Sequence, residues 1–371
     1  ASYREENPEL KIIVSGCLAQ RYADDIRAEL PEVDGIMGTG SYSEVVSVVE
    51  AVLAGDKPTR RGAISAPLYD TPRAVSTGPN WAYLRIAEGC DNRCAYCVIP
   101  SLRGKFRSRT KESILEEARL LAASGVKELI IVAQDITRYG IDLYGKVCLT
   151  ELLKELCKLD FRWVRLHYLY PELIDDELID EIASEDKIVK YLDIPIQHIN
   201  DTILRRMNRR GTGEEIRALF KKLRERIPGL VLRTSLITGL PGEGEAEFEE
   251  LCDFLREAKI ERAGVFPYSP EEGTPAALMP DRCSTEEAQR RAELCMEIQA
   301  EIMDGFAETF IGRELDVLVM GREPDGTPWG RSEYDSPDID SRVIFSGDAA
   351  PGDMVRVRID SVDAGELIGE Q

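Results

Sequence analysis

Glu88-Gly-Cys-Asp-Asn-Arg-Cys-Ala-Tyr-Cys-Val-Ile-Pro100 places three cysteines, Cys90, Cys94 and Cys97, within eight positions. Gaps of three residues and then two let one compact loop present three thiolates to a single inorganic centre. A 4Fe–4S cube takes cysteine thiolates, ordinarily four. Three leave one iron open to a small molecule. Two other readings compete. A structural zinc site needs a fourth Cys or His close by, and the two histidines, His167 and His198, stand far along the chain. A disulfide needs an oxidising compartment, which nothing else in the sequence supports.

The loop follows an apolar segment, Tyr83–Ala87, that reads as a strand. From there to about residue 280 strand and helix patterns alternate. The expected strands are Tyr83–Ala87, Glu128–Ala133, Trp163–Leu169, Tyr191–Ile196, Leu230–Leu236 and Ala263–Phe266. Lys111–Ala123 is typical of the helices between them. It carries Ile114, Leu115, Ala118, Leu121 and Ala122 on one side, with Gly125 as a stop. Six strands alternating with helices predict an α/β fold whose parallel sheet curls into a partial (β/α)6 barrel. Chemistry in such folds gathers at the C-terminal ends of the strands, and the cysteine loop leaves the end of the first.

Upstream, residues 9–16 read as a buried strand ending at Gly16-Cys17, followed by a helix near 20–30, the apolar stretch Val33–Met37 and a helix over Ser43–Leu53. That is part of an α/β domain, expected to end near 55. Because the chain opens on Ala1 and enters a strand almost at once, it reads as the remainder of a longer N-terminal domain. Residues 56–80 lose periodicity and carry Pro58, Pro67, Pro72 and Pro79, so a linker is expected. The barrel is assigned 81–283. Ser284-Thr-Glu-Glu287 has the pattern of a capping box and opens a connecting helix assigned 284–305. Short strands, Leu315–Met320, Arg342–Phe345 and Met354–Ile359, then predict a small antiparallel β-barrel over 306–371.

Of the 371 residues 43% are hydrophobic, enough for a sizeable core, and no apolar run reaches the roughly 18 residues of a membrane span. Nine cysteines without a regular framework fit a reducing cytoplasm, and Cys148, Cys157, Cys252, Cys283 and Cys295 read as dispersed buried or half-buried thiols. The net charge of −21 opposes attraction to a phosphate backbone. Residues 306–371 alone hold 15 Asp and Glu against 6 Arg and no Lys, 6 − 15 = −9, the wrong sign for a nucleic-acid barrel. Such acidity suits a basic partner, or solubility alone.

The three cysteines, the strand before them and the alternating pattern resemble the radical S-adenosylmethionine superfamily. Val14-Ser-Gly-Cys-Leu-Ala-Gln-Arg-Tyr22 sharpens the likeness to its methylthiotransferases, where it is similar to the third-cysteine motif of the N-terminal domain. Tyr191-Leu-Asp-Ile-Pro-Ile-Gln-His198, Arg206-Met-Asn-Arg-Arg210, Arg233-Thr-Ser-Leu-Ile-Thr-Gly-Leu-Pro-Gly-Glu243 and Gly264-Val-Phe-Pro-Tyr-Ser-Pro-Glu-Glu-Gly-Thr274 resemble the branch that modifies a small-subunit ribosomal protein, the RimO type. Gly330-Arg-Ser-Glu-Tyr-Asp-Ser-Pro-Asp-Ile-Asp340 resembles that branch's TRAM domain.

The resemblance implies a 4Fe–4S cluster on Cys90, Cys94 and Cys97 whose free iron is chelated by S-adenosylmethionine. One electron then releases a 5′-deoxyadenosyl radical, so the hard chemistry is the cofactor's. The radical takes a hydrogen from the β-carbon of an aspartate, and a methylthio group replaces it. Cys17 is implied as one ligand of a second 4Fe–4S cluster, whose other two cysteines have no counterpart here. The implied partners are a basic ribosomal protein and a flavodoxin- or ferredoxin-like electron donor.

Four strand-end residues are candidates for cofactor contact: Gln134 and Asp135 after the second strand, Gln197 after the fourth, and Arg233, which could pair with a carboxylate. Structural hydrogen bonding, and for Arg233 a structural ion pair, are the competing readings. His198 shares the rim with Gln197. Gly239-Leu-Pro-Gly-Glu243 reads as a tight turn before a helix, and the run Arg103, Lys105, Arg107, Arg109 as either an anion-facing or a solvated face. The rival functions are a tRNA adenosine methylthiotransferase and a noncatalytic iron–sulfur protein.

Overall fold

Strands buried on both faces need near-continuous apolar runs. Glu128-Leu-Ile-Ile-Val132 is such a run, on a strand one in from the edge of a six-stranded sheet in the computed structural model. The structure describes residues 2–65, 73–78 and 80–371; of the linker prolines, Pro67, Pro72 and Pro79 lie outside the described residues. The chain divides into two compact units. The first comprises Ala1–Ala74, Glu88–Arg93 and Cys97–Arg107, and the second Val75–Ala87, Cys94–Tyr96 and Ser108–Gln371.

The first unit holds α1 (Ser2–Glu6), β1 (Ile13–Ser15), α2 (Cys17–Arg21), α3 (Ala23–Glu29), β2 (Gly35–Met37), α4 (Val45–Leu53), β3 (Thr59–Arg60) and α5 (Ile99–Arg103). Its three strands are parallel in the order β1-β2-β3. Ala19, Ala23, Ile26, Val33 and Ile36 form its core. The helix expected over 20–30 is two short helices, because Tyr22 between them leaves the helical region (φ −113°, ψ 30°).

The second unit opens with β4 (Trp81–Arg85). Past the two-residue strands β5 (Ala87–Glu88) and β6 (Arg107–Ser108), strand and helix alternate: α6 (Lys111–Ala123), β7 (Glu128–Val132), α7 (Ile141–Tyr144), α8 (Leu149–Leu156), β8 (Trp163–Leu166), α9 (Asp176–Ser184), β9 (Ile188–Asp193), α10 (Asp201–Arg206), α11 (Gly213–Arg226), β10 (Val231–Thr238), α12 (Glu245–Ala258) and β11 (Arg262–Pro267). The sheet runs β11-β10-β9-β8-β7-β4, every pair parallel, as the alternation predicts. α13 (Thr285–Glu308) then leads to the terminal strands. Only half of its expected capping box forms. Ser284 accepts from the Glu287 N–H, while the Glu287 carboxylate takes Arg290 and Arg291 instead. Among the described residues no helix is long and apolar enough to cross a membrane.

The closed terminal barrel has five strands, not the three expected: β12 (Glu314–Arg322), β13 (Pro328–Ser332), β14 (Val343–Ser346), β15 (Met354–Asp363) and β16 (Glu366–Glu370). The two missed strands contain Gly330 and Gly369, which dilute the apolar alternation. A Cβ on either would come within 2.4 Å of the Leu318 carbonyl or 2.1 Å of the Arg358 carbonyl, so close backbone approach requires glycine there. The ladders are antiparallel except for β14 with β16, which closes the barrel in parallel.

Leu318 of this barrel packs among Trp163, Val189, Tyr191 and Val231 of the parallel sheet. Beside that seam Glu128 accepts from Arg165 Nε at 2.7 Å and from Arg331 Nη2 at 2.5 Å, all three side chains being buried. Arg262 pairs with Asp335 at 2.7 Å, Tyr191 donates to Asp340 at 2.7 Å, and His167 Nε2 meets Ser336 Oγ at 3.1 Å. Burial opposes ionisation of Glu128, but the two guanidiniums outweigh it and hold the carboxyl below its usual range.

Candidate cofactor site

Cys94 owes its position to the chain on either side of it. The Ala95 N–H donates to the Met207 carbonyl at 2.9 Å, and the Ala95 carbonyl accepts from the Ala276 N–H at 2.9 Å. The Ala95 methyl sits among Ile203, Met207, Leu240, Tyr268 and Ala276, with Tyr96 packed against the same cluster. This anchoring leaves Cys94 Sγ 3.0 Å from Tyr170 Oη and 3.9 Å from Arg209 Nη1. Arg209 lies over the Tyr170 ring, its Cζ 4.4 Å from the centroid, and donates from Nη2 to the Pro195 carbonyl at 2.6 Å. Burial pushes the Tyr170 hydroxyl well above its ordinary pKa, so it stays protonated.

Cys90 and Cys97 belong to the first unit. Gly89 adopts φ +80°, and a Cβ there would lie 2.2 Å from the Lys105 carbonyl. Only glycine lets the cysteine loop lie so close to Gly104–Phe106. The Cys90 N–H then donates to the Gly104 carbonyl at 3.1 Å, and Asp91 accepts from the Phe106 N–H at 3.2 Å. Cys90 is buried and Cys97, just ahead of α5, is half-buried. Cys17 opens α2 and is half-buried. Arg103 Nε donates to its Sγ at 3.1 Å, while Arg103 Nη1 reaches Glu88 at 3.2 Å. The cationic run therefore splits by role. Arg103 faces a thiol, Arg107 donates to the carbonyls of Arg103 and Lys105, and Arg109 is buried against Glu117 at 2.5 Å.

Gln134 follows β7, and its Oε1 is buried without a hydrogen-bond partner. Asp135 accepts from the Thr137 N–H at 3.1 Å and so caps the next turn. Gln197 stands at φ +71°, its backbone bonded to Ser235 and Ile237 of β10. Arg233 pairs with Asp193 at 2.7 Å, the ion pair of the competing reading. His198 is buried; its Nδ1 accepts from the Asn200 N–H at 3.0 Å, leaving Nε2 to face Glu243 at 3.4 Å. Glu243 also takes Arg291 at 2.9 Å, so the Gly239–Glu243 turn is tied to α13. Cys148, Cys157, Cys252 and Cys295 are buried and Cys283 half-buried, as expected, but Cys252 and Cys295 are not dispersed in space, their Sγ atoms lying 4.0 Å apart. Tyr170 and Arg209 carried no sequence signal of their own, although Arg209 lies within the quoted Arg206–Arg210 run.

Among the described residues no three His, Cys, Asp or Glu side chains converge as the ligands of a single ion would. The fit to a cluster rests on donor chemistry. Three thiols lie on one loop, one of them faces a buried cation, and an orphaned amide oxygen stands on the rim.

A six-stranded parallel sheet with three cysteines after its first strand defines a radical S-adenosylmethionine fold. The Radical SAM superfamily model matches residues 84–255, and the TRAM domain model residues 311–371. Ribosomal protein uS12 methylthiotransferase RimO of Pelotomaculum thermopropionicum is 50% identical over 97% of this chain and 82% of its own length. The protein of that name from Lachnoclostridium phytofermentans is 46% identical over 100% of this chain and 85% of its own. The chain belongs to the RimO family of methylthiotransferases. Among solved structures, the radical S-adenosylmethionine methyltransferase TsrM from Kitasatospora setae, with cobalamin and a [4Fe-4S] cluster bound, superposes with a TM-score of 0.55 at 16% identity. That match covers 72% of this chain and 59% of TsrM, a likeness of fold.

Proposed function

We propose that this chain adds a methylthio group to the β-carbon of an aspartate in ribosomal protein uS12, replacing one hydrogen. The observation that carries this is identity of 46–50% with RimO proteins along nearly the whole chain, cysteine loop and terminal barrel included. Cys90, Cys94 and Cys97 are the proposed ligands of a 4Fe–4S cluster that, when bound, supplies the electron for reductive cleavage of S-adenosylmethionine. Gln134, Asp135, Gln197 and Arg233 are proposed to contact that cofactor from the strand ends. The unpartnered Gln134 Oε1 supports this most directly. For Arg233 to reach a carboxylate, it would have to share Asp193. Cys17 is proposed as a ligand of a second cluster. A cytoplasmic setting and a flavodoxin- or ferredoxin-like donor complete the reading.

The −9 balance of residues 306–371 favours a basic protein over tRNA. Two measurements test the proposal. Chain reconstituted with iron and sulfide, given S-adenosylmethionine and dithionite, should yield 5′-deoxyadenosine, and Cys94→Ala should yield none. No product from an iron-loaded chain sinks the enzyme reading. Mass spectrometry of uS12 from cells with and without the gene should differ by one methylthio group on an aspartate. An unchanged uS12 with altered tRNA adenosine would transfer the reading to the rival.

A further inference from the structure

Six arginines of the second unit are buried: Arg109, Arg165, Arg209, Arg262, Arg291 and Arg331. Five hold a carboxylate, from Glu117, Glu128, Asp335, Glu243 and again Glu128. Arg209, only 8% exposed, makes no ion pair among the described residues. Its donors go to the neutral Pro195 carbonyl and to Cys94 Sγ, and its plane covers the Tyr170 ring. Glu172 feels the Arg209 charge from a distance but makes no ion pair with it. A buried guanidinium with no carboxylate in contact is costly, so the fold has left a place for a negative charge at Cys94. A neutral thiol does not supply it; a thiolate ligating a net-negative cluster does.

We propose that Arg209 is the built-in counter-charge of the cluster that Cys94 ligates, and that Tyr170 fixes it there, the pair raising the cluster's reduction potential. The proposal rests on the cluster reading above and adds to it two positioning residues. Potentials of such clusters follow net charge and hydrogen bonds to the sulfurs. Uptake of one electron from a low-potential donor adds negative charge beside a fixed positive one, so Arg209 favours the reduced state. The Tyr170 hydroxyl, 3.0 Å from Sγ, is placed to donate to a thiolate in the same sense. Arg103 beside Cys17 differs, because Glu88 already matches its charge.

The test uses full-length protein reconstituted anaerobically, with iron per chain and the midpoint potential read by potentiometric titration of the reduced cluster's electron paramagnetic resonance signal. Arg209→Met is expected to move the midpoint to a more negative potential. Arg209→Lys, which keeps the charge, should stay nearer the wild type, and Tyr170→Phe should move it less than Arg209→Met in the same direction. Arg209→Met with full iron and an unmoved midpoint overturns the proposal, as does an equal shift for Met and Lys. If Arg209→Met holds no iron, Tyr170→Phe decides: loaded and unmoved, it overturns the proposal. A wild-type chain that takes up no cluster would instead count against the cofactor reading itself.

Discussion

Glu128 shows how a single side chain can carry two buried charges. Both Arg165 and Arg331 depend on it, and among the described residues neither forms an ion pair with another carboxylate. Glu128→Gln leaves two guanidiniums uncompensated and should cost about 3–5 kcal/mol, read as a lower urea midpoint. Because its folded pKa is depressed, the stability it contributes is complete above the ordinary glutamate value. That stability is lost as pH falls through the lower folded value. His167 works the same way from the basic side. Burial, helped by Arg165 and Arg233, lowers its pKa from 6.5 to about 3. Below about 6.5 the unfolded chain takes up a proton that the folded one refuses. Stability should therefore fall by about 1.4 kcal/mol per pH unit down to about pH 3. His167→Gln, retaining a polar group for Ser336, should flatten that slope in urea titrations across the range. Gly89→Ala should lower iron uptake on reconstitution, since a Cβ 2.2 Å from the Lys105 carbonyl forces the cysteine loop to move.

The helices are held by their ends as much as by their apolar faces. Thr212 caps α11 by accepting from Glu215 N–H, while the Glu215 carboxylate returns to Thr212 N–H, a complete capping box. Thr212→Ala should cost about 1 kcal/mol, visible as a lower thermal midpoint. Elements of this kind are largely legible in the sequence. All six sheet strands form at the expected places, though the ends shift, as in Ile188–Asp193 against Tyr191–Ile196, and helix α6 stops just before Gly125, because buried parallel strands and amphipathic helices write their periods directly into the sequence. What escaped were places where backbone geometry outruns pattern. Examples are the break at Tyr22, the glycine-bearing strands β13 and β16, and the left-handed residues Tyr168 and Gln197 beyond β8 and β9.

In the second unit the parallel sheet and the terminal barrel share one seam, so Arg331→Met should weaken both together. Calorimetry is expected to show a lower and broader transition for that variant. The acidity of residues 306–371 implies that binding of a basic ribosomal protein weakens as salt rises, and that tRNA binds weakly even at low salt; filter-binding across a salt series checks both. The sequence by itself determined the three thiols and their spacing, the parallel alternation behind them and the charge of the terminal barrel. These are local properties of composition and period. Only the tertiary structure decided what faces Cys94. Tyr170 lies 76 residues away and Arg209 115. Strand register and loop path across successive β/α repeats bring them to one sulfur, and no periodicity in the chain encodes that meeting.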